Sequence, residues 1–286
     1  MPLPSSWQEV HWRSRSLGRR MAFLLYQPQA VPPRRPLRPV GRSAPSGGRP
    51  ERGRPARAGA AGPSGGAQAT APLPVLYLLH GSGHDPTSVL DHVRPQEQLQ
   101  LLGAALLVIP AGDQGWWLDS PLQPGSAYGT YLLELVQFVD GHYRTWPDRV
   151  ARGICGFSMG GFGAMLAACL HPQTFGAASS LLGPLDITQM YPDYYRLRQL
   201  LGTQRENWQR CNPAHLAHRL THTALAFCTA SEAFDRPQNE SFAAQLQSLG
   251  IAFEYHADPG QHDTAFVREH IGASLAFHRR AFDQPV

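Results

Sequence analysis

From residue 75 onward the sequence alternates short, wholly apolar runs with longer stretches in which apolar residues recur every three or four positions. Val75-Leu76-Tyr77-Leu78-Leu79-His80 is the first such run, and Ala104 to Pro110, Val150 to Gly156, Ala177 to Leu182, Ala224 to Ala230 and Ile251 to Ala257 repeat the pattern. A strand covered on both faces has no polar side to show, so it reads as an unbroken apolar segment of this length. Val89 to Leu102, Ala127 to Tyr143, Gly161 to His171, Gln238 to Leu249 and Thr264 to Phe282 read as helices; in the last, Val267, Ile271, Leu275 and Phe282 build one packed face. Six buried strands separated by helices predict an α/β fold, a mostly parallel sheet with helices on both faces. Ahead of it, residues 9 to 27 read as two β-prone stretches around Leu17-Gly18-Arg19, so residues 1–27 are expected as a leading β-hairpin of the same sheet. Pro184 to Leu220 is too long for a plain β/α connection. With Tyr191, Tyr194, Tyr195 and Trp208 it predicts small helices over the sheet's edge, a lid insert at about 184–222.

Composition changes this picture in one place. Of 286 residues 28 are Gly and 26 are Pro, and residues 28–74 hold 11 of the Pro and 8 of the Gly with almost no large apolar side chain after Val40. Such a segment cannot bury enough surface to offset its ordering entropy, and it is expected to be a disordered insert between the hairpin and the main domain at 75–286. The overall charge of +4 belongs to it: all 25 basic residues are Arg, and eight of them lie in 28–74 against the single acid Glu51. The segment has no interleaved aromatics, so it does not read as a nucleic-acid binder. No apolar run is long enough to span a membrane and the N-terminus has no apolar core of a signal peptide, which makes a cytoplasmic location the expectation. Cys155, Cys169, Cys211 and Cys228 lie far apart with no Cys-x-x-Cys pair, the pattern of buried reduced thiols rather than of a metal site or a disulfide framework.

Candidate chemistry gathers at the ends of the apolar runs. Gly156-Phe157-Ser158-Met159-Gly160-Gly161 fits Gly-x-Ser-x-Gly and falls between an expected strand and an expected helix. A sharp strand-to-helix turn there would strain the serine backbone, require small flanking residues and project Ser158 at the carboxyl edge of the sheet as a nucleophile. His80-Gly81-Ser82-Gly83 ends the first run, where a main-chain N–H can be aimed at a developing oxyanion. Ser82 and Met159 are the expected donors through their backbones. Of thirteen histidines, His262 stands just past the last run in the turn-forming Asp258-Pro259-Gly260-Gln261-His262-Asp263 and is the expected base, with His256 as runner-up. The loop after the penultimate run, Ser231-Glu232-Ala233-Phe234-Asp235-Arg236-Pro237, offers two carboxylates for the third role. Asp235 has the shorter side chain usually used to hold an imidazole and Glu232 is the fallback.

His80-Gly81, the stretch from Gly156 to Ala164 and Pro259-Gly260-Gln261-His262-Asp263 together resemble the putative-esterase family of α/β-hydrolases, which includes esterase D, S-formylglutathione hydrolases, feruloyl and acetylxylan esterases and mycolyltransferases. The resemblance covers about residues 75 to 282. It implies an α/β-hydrolase fold and a serine carboxylesterase with neither cofactor nor metal, acting on a small-molecule ester. The order Ser158, Asp235, His262 is that of the fold. Gly115-Trp116-Trp117-Leu118-Asp119-Ser120 resembles the family's loop bordering the active site, so Trp116 and Trp117 are candidates to wall the substrate, with packing in the core or against the lid as the equally open alternative for either one. The expected reaction is hydrolysis of short to medium acyl esters through an acyl-enzyme. An acyltransferase or thioesterase on the same fold, or a non-catalytic hydrolase-like binding protein, are the alternatives, and nothing in the sequence addresses oligomeric state.

Overall fold

The computed structural model describes residues 3, 5–28 and 71–284. Most of the Pro/Gly/Arg-rich stretch expected over 28–74 therefore lies outside the described residues. Its C-terminal boundary is corrected: Leu73 is buried and bridges to Thr145, and the Trp146 N–H donates to its carbonyl, so the ordered domain has begun before Val75.

Among the described residues eight strands form one sheet: β1 (Trp7–Arg13), β2 (Arg20–Tyr26), β3 (Val75–Leu79), β4 (Leu106–Pro110), β5 (Arg152–Phe157), β6 (Ala177–Leu181), β7 (Ala224–Ala230) and β8 (Glu254–Asp258), in the order β1-β2-β4-β3-β5-β6-β7-β8. The hairpin β1–β2 pairs antiparallel onto β4, and every pairing from β4 to β8 is parallel. The helices are α1 (Pro86–Ser88), α2 (Leu99–Leu102), α3 (Tyr128–His142), α4 (Met159–Leu170), α5 (Tyr195–Leu201), α6 (Arg205–Arg210), α7 (Pro213–Leu216), α8 (Arg236–Ser248) and α9 (Thr264–Asp283). Strand alternation divides the core. Val75, Tyr77 and Leu79 of β3 pack with residues of α3 and α4, whereas Leu76 and Leu78 pack with Val267, Ile271 and Leu275 of α9. Among the described residues no helix is long and apolar enough to cross a membrane.

Three expectations change. Val89 to Leu102 is not one helix: a wide turn over Val89–Val93 ends at Arg94, whose φ of 55° is left-handed, and a 3₁₀ turn over Pro95–Glu97 precedes α2. Proline has no N–H for a helix ladder and disfavours helical backbone in the residue before it, so the break falls at Arg94-Pro95. The last apolar run is an exposed edge strand that starts only at Glu254; its apolar Phe253 and Tyr255 pack on one face alone, and on the other Glu254 and His256 meet solvent. The insert at 184–222 does form short helices, α5 to α7, but Leu197, Leu200, Leu201 and Trp208 are fully buried, and the insert belongs to the main core rather than lying loosely on an edge.

The strand order positions the site. β3 connects onward to β4 on one side, and β5 lies on its other side, so the loops leaving β3 and β5 part at a topological switch point where a crevice opens beyond the carboxyl ends of the strands. Leu79 pairs with Gly156, so His80-Gly81-Ser82 and Phe157-Ser158 leave the sheet level with each other. Ala230 pairs with Asp258, which brings the loop carrying Glu232 and Asp235 beside the loop carrying His262.

Candidate active site

Ser158 stands between β5 and α4 with φ 53° and ψ −121°, a backbone conformation that is costly for a residue with a side chain and is held here by its surroundings. Its N–H donates to the Leu181 carbonyl at 2.9 Å, anchoring the turn to the end of β6. The glycines around it are steric requirements. A Cβ on Gly160 would lie 2.1 Å from the Leu79 carbonyl oxygen, and one on Gly156 would lie 2.3 Å from the Gly160 carbonyl oxygen. Helix α4 can thus start against the ends of β3 and β5 only because these positions lack side chains.

Three side chains line up from this turn. His262 Nε2 is 2.9 Å from Ser158 Oγ, and His262 Nδ1 is 2.6 Å from Asp235 Oδ1. With the Nδ1 proton donated to the carboxylate, the Nε2 lone pair is free to accept the serine hydroxyl. Asp235 is completely buried, and its second oxygen accepts from Thr229 Oγ1 at 2.7 Å and Asn239 Nδ2 at 3.0 Å. Although it occupies the position before α8, its side chain makes no helix cap; the carboxylate is occupied by Thr229, Asn239 and His262. Glu232 is exposed and turned away, with Gln261 Nε2 at 3.5 Å as its side-chain contact. His256 faces solvent on β8, apart from this group. His262 is fixed from outside by the ring of Phe234, whose centroid is 4.5 Å from that of the imidazole, and from the chain itself by Asp263, which caps α9 through the Phe266 N–H.

The main-chain N–H groups of Ser82 and Met159 have no acceptor among the described residues. That of Met159 opens α4, where the helix dipole adds positive potential. The loop carrying Ser82 is braced on both sides. His80 is wholly buried: Nδ1 donates to the Gly81 carbonyl at 2.8 Å, and Nε2 accepts from the Gly112 N–H at 2.9 Å. Burial pushes its pKa below the ordinary histidine value, so it acts as a neutral strut. Ser82 Oγ donates to Gln114 Oε1, and the Gln114 carbonyl accepts from Arg196 Nε of α5 at 2.9 Å. The cleft over Ser158 has a volume of about 170 Å³, and Gly81, Phe157, Leu182 and Val267 line it beside the residues already named.

Trp116 and Trp117 are 3% and 1% exposed, which corrects the expectation that they wall the substrate. Trp117 packs edge-on to His80 and donates from Nε1 to the His80 carbonyl; Trp116 packs between Phe162 of α4 and Tyr194 of the insert. Both support the loops around the cleft from inside. The sequence reading missed Thr229, Asn239 and Phe234. Asn239 carried a signal, being four residues after Asp235 on a helix and so on the same face; Thr229 meets Asp235, and Phe234 meets His262, only once the chain is folded. Among the described residues no cluster of His, Cys, Asp and Glu could hold a metal ion.

Comparison with known proteins agrees with this fold. Over 118 residues, 40% of its length, the chain is 30% identical to Esterase Rv1288 of Mycobacterium tuberculosis strain H37Rv and to Esterase MT1326 of strain CDC 1551. The match spans about a quarter of those relatives, 26% of their length. Among solved structures, the fluorophosphonate-binding serine hydrolase F of Staphylococcus aureus superposes with a TM-score of 0.76 at 16% identity, covering 96% of this chain and 99% of that one. The S-formylglutathione hydrolase of the same organism gives 0.72 at 16%, covering 96% and 98%. MPT51 of M. tuberculosis gives 0.73 at 17%, covering 98% and 100%. At these identities the likeness is one of fold, that of the α/β-hydrolases. The family model described as Putative esterase matches residues 61–271, most of the chain including Ser158, Asp235 and His262, and the protein belongs to that family.

Proposed function

We propose that the protein is a serine carboxylesterase that hydrolyses esters with short to medium acyl groups, using Ser158 as nucleophile, His262 as base and Asp235 as the acid partner. The observation that carries this reading is the unbroken hydrogen-bonded line from Ser158 Oγ through the imidazole to a buried carboxylate, at the mouth of a cleft, with the N–H groups of Ser82 and Met159 nearby and without an acceptor among the described residues. Ser158 Oγ attacks the ester carbonyl carbon while its proton passes to His262 Nε2. The imidazolium that forms is stabilised by Asp235 on its other nitrogen. The carbonyl oxygen, now negative, accepts from the Ser82 and Met159 N–H groups, which are worth about 3 kcal/mol apiece when preorganised in this way. The carbon–oxygen bond to the alcohol breaks as His262 returns the proton to the alcohol oxygen. Water then repeats the sequence on the acyl-enzyme, releasing the carboxylic acid and restoring Ser158.

Each partner of Asp235 serves this scheme. Two neutral donors, Thr229 and Asn239, hold the carboxylate without neutralising it, so its charge remains available to the imidazolium. The small cleft suits a short acyl chain. The test combines labelling with turnover: a fluorophosphonate should attach at Ser158, and p-nitrophenyl acetate or butyrate should be hydrolysed. A label at another residue, or an unlabelled protein without turnover, would overturn the assignment.

A further inference from the structure

Away from the catalytic cleft, α9 leaves a gap over the strands at the β8 edge of the sheet. Strand alternation turns Ala226 and Cys228 of β7 toward the helix, beside Glu254 and His256, their register partners on β8. β7 is an inner strand, yet Ala226 and Cys228 are only half-buried. The helix is held off by two side-chain bridges. His270 Nε2 reaches Asp258 Oδ2 at 3.1 Å, and Arg280 donates to both oxygens of Glu254 at 2.8 Å. His270, Ala273, Phe277 and Arg280 follow one another at three or four residues and share one face of α9. The bridges therefore stand at the two ends, and between them helix and sheet enclose a cavity of about 110 Å³. It stays open because the residues that meet in its middle, Ala226, Cys228 and Ala273, are small. It shares no lining residue with the cleft over Ser158.

We propose that this cavity is a second binding site, separate from the catalytic cleft, and that it takes a small neutral aromatic alcohol of the phenol class. Its volume is of the order that one aromatic ring occupies, and Phe277 on the helix side offers a ring edge or face to pack against. The inner end asks for no polar group. Ser179 Oγ there is already 2.6 Å from Ser274 Oγ and 2.9 Å from His278 Nε2. Burial pushes the Cys228 thiol up to about 12, so it stays protonated and adds no charge to the floor.

The mouth is different. His256 stands there on the exposed edge strand, and its imidazole makes no side-chain hydrogen bond among the described residues. An imidazole both accepts and donates, so a hydroxyl at the mouth gives it a partner while the ring lies inside. Charged ligands are disfavoured. Glu254 and Asp258 are already held from α9, and Arg280 is engaged by Glu254, so a carboxylate or an ammonium group would lose its water without gaining an unpaired counter-ion. An unsubstituted ring would fill the space and leave His256 facing it without a hydrogen bond.

The test is fluorine NMR on the intact chain with 4-fluorophenol, fluorobenzene and 4-fluorobenzoate. The expected result is saturable binding of 4-fluorophenol with a Kd of about 1 mM or below, at least tenfold tighter than that of the other two. Ala273→Phe, at an exposed position of α9, fills the cavity from the helix side and should weaken 4-fluorophenol at least tenfold. His256→Ala should remove its advantage over fluorobenzene. A second readout places the ligand: 4-fluorophenol should slow modification of Cys228 by methyl methanethiosulfonate at least fivefold, while Cys211, which is outside the cavity, reacts at an unchanged rate by mass spectrometry. Absence of saturable binding, binding of fluorobenzene or 4-fluorobenzoate as tight as that of the phenol, binding that survives Ala273→Phe, or a Cys228 left unprotected each overturns the site. None of these readouts depends on ester turnover, so the site stands or falls apart from the esterase reading.

Discussion

Two serine–histidine pairs lie on this sheet with the same separation. Ser158 Oγ is 2.9 Å from His262 Nε2, and Ser179 Oγ of β6 is 2.9 Å from His278 Nε2 of α9. Everything around them differs. The first serine projects from a strained turn into a cleft, and the second lies in the core, where it also meets Ser274 Oγ at 2.6 Å. His262 has a buried carboxylate on its other nitrogen, whereas Nδ1 of His278 has no partner among the described residues. His278 fits over β5 only at Gly153, where a Cβ would lie 2.4 Å from that Nδ1. Under the proposed function a hydrogen bond from serine to histidine would be no measure of reactivity. What distinguishes the pairs in the structure is the buried carboxylate on the other nitrogen of His262 and the open cleft beside Ser158 Oγ.

The sharpest way to break this comparison is to delete each hydroxyl. Ser158→Ala should lower ester turnover by about 10⁴-fold or more, since the residual rate comes from the N–H donors and binding alone, and should leave stability nearly unchanged. Ser179→Ala should do the opposite, leaving kcat/KM within about twofold while costing about 1–3 kcal/mol of stability, because His278 and Ser274 lose a buried partner. Parallel urea unfolding and p-nitrophenyl acetate assays on the two variants decide it. Equal activity losses would mean that the buried pair matters to catalysis.

The next largest effect is expected at the carboxylate that only the first pair possesses. Asp235→Asn should lower kcat by about 10³- to 10⁴-fold, because the amide permits the wrong histidine tautomer and cannot stabilise the imidazolium. Asp235 is wholly buried, so near-ultraviolet circular dichroism must first establish that the variant is folded. A folded variant with near wild-type kcat would remove Asp235 from the mechanism.

How much of this contrast could be read from the chain depends on the range of the interactions. β3 to β7, the turn at Ser158 and the position of His262 after the last strand were legible because each is a local pattern ending at one edge of a parallel sheet. The choice between Asp235 and Glu232 was not, since both sit in one loop and differ only in where α8 begins and which way each side chain then faces. The burial of Trp116 and Trp117 was equally hidden: two aromatic residues in a Gly-rich loop look alike whether they face the substrate or His80 and Phe162. The break before α2 had a partial signal in Pro95, which disfavours helical backbone at Arg94.

A smaller effect is expected at the buried histidine of the second pair, and it is read by pH. Burial pushes the pKa of His278 down to about 3, so the folded protein keeps it neutral while the unfolded chain takes up a proton below about 6.5. Its contribution to stability is therefore present above pH 6.5 and is lost as pH falls toward 3, at about 1.4 kcal/mol per pH unit. Burial also lowers the pKa values of His80, His84 and His171, so the wild-type slope alone does not isolate this group. The difference between wild type and His278→Asn does. Between pH 7.5 and 5.5 the wild type should lose about 1.4 kcal/mol more than the variant in urea unfolding. Equal losses would show that His278 is not the group kept neutral by the core.

The smallest effect is expected at Glu232, and it sharpens the comparison by showing that proximity in sequence is not enough. Glu232 is nearer than Asp235 to the end of β7 and shares its loop, yet its N–H donates to the Gly260 carbonyl at 3.0 Å and its carboxylate points to solvent near Gln261. An exposed carboxylate at that position is screened by water and salt from the imidazolium it would have to stabilise. Glu232→Gln keeps the shape and removes the charge, so kcat and KM should stay within about twofold and stability within about 0.5 kcal/mol. If kcat instead fell a hundredfold while Asp235→Asn remained active, the acid would be Glu232, and the buried hydrogen bonds of Asp235 would have to be read as structural, like those of the pair at Ser179.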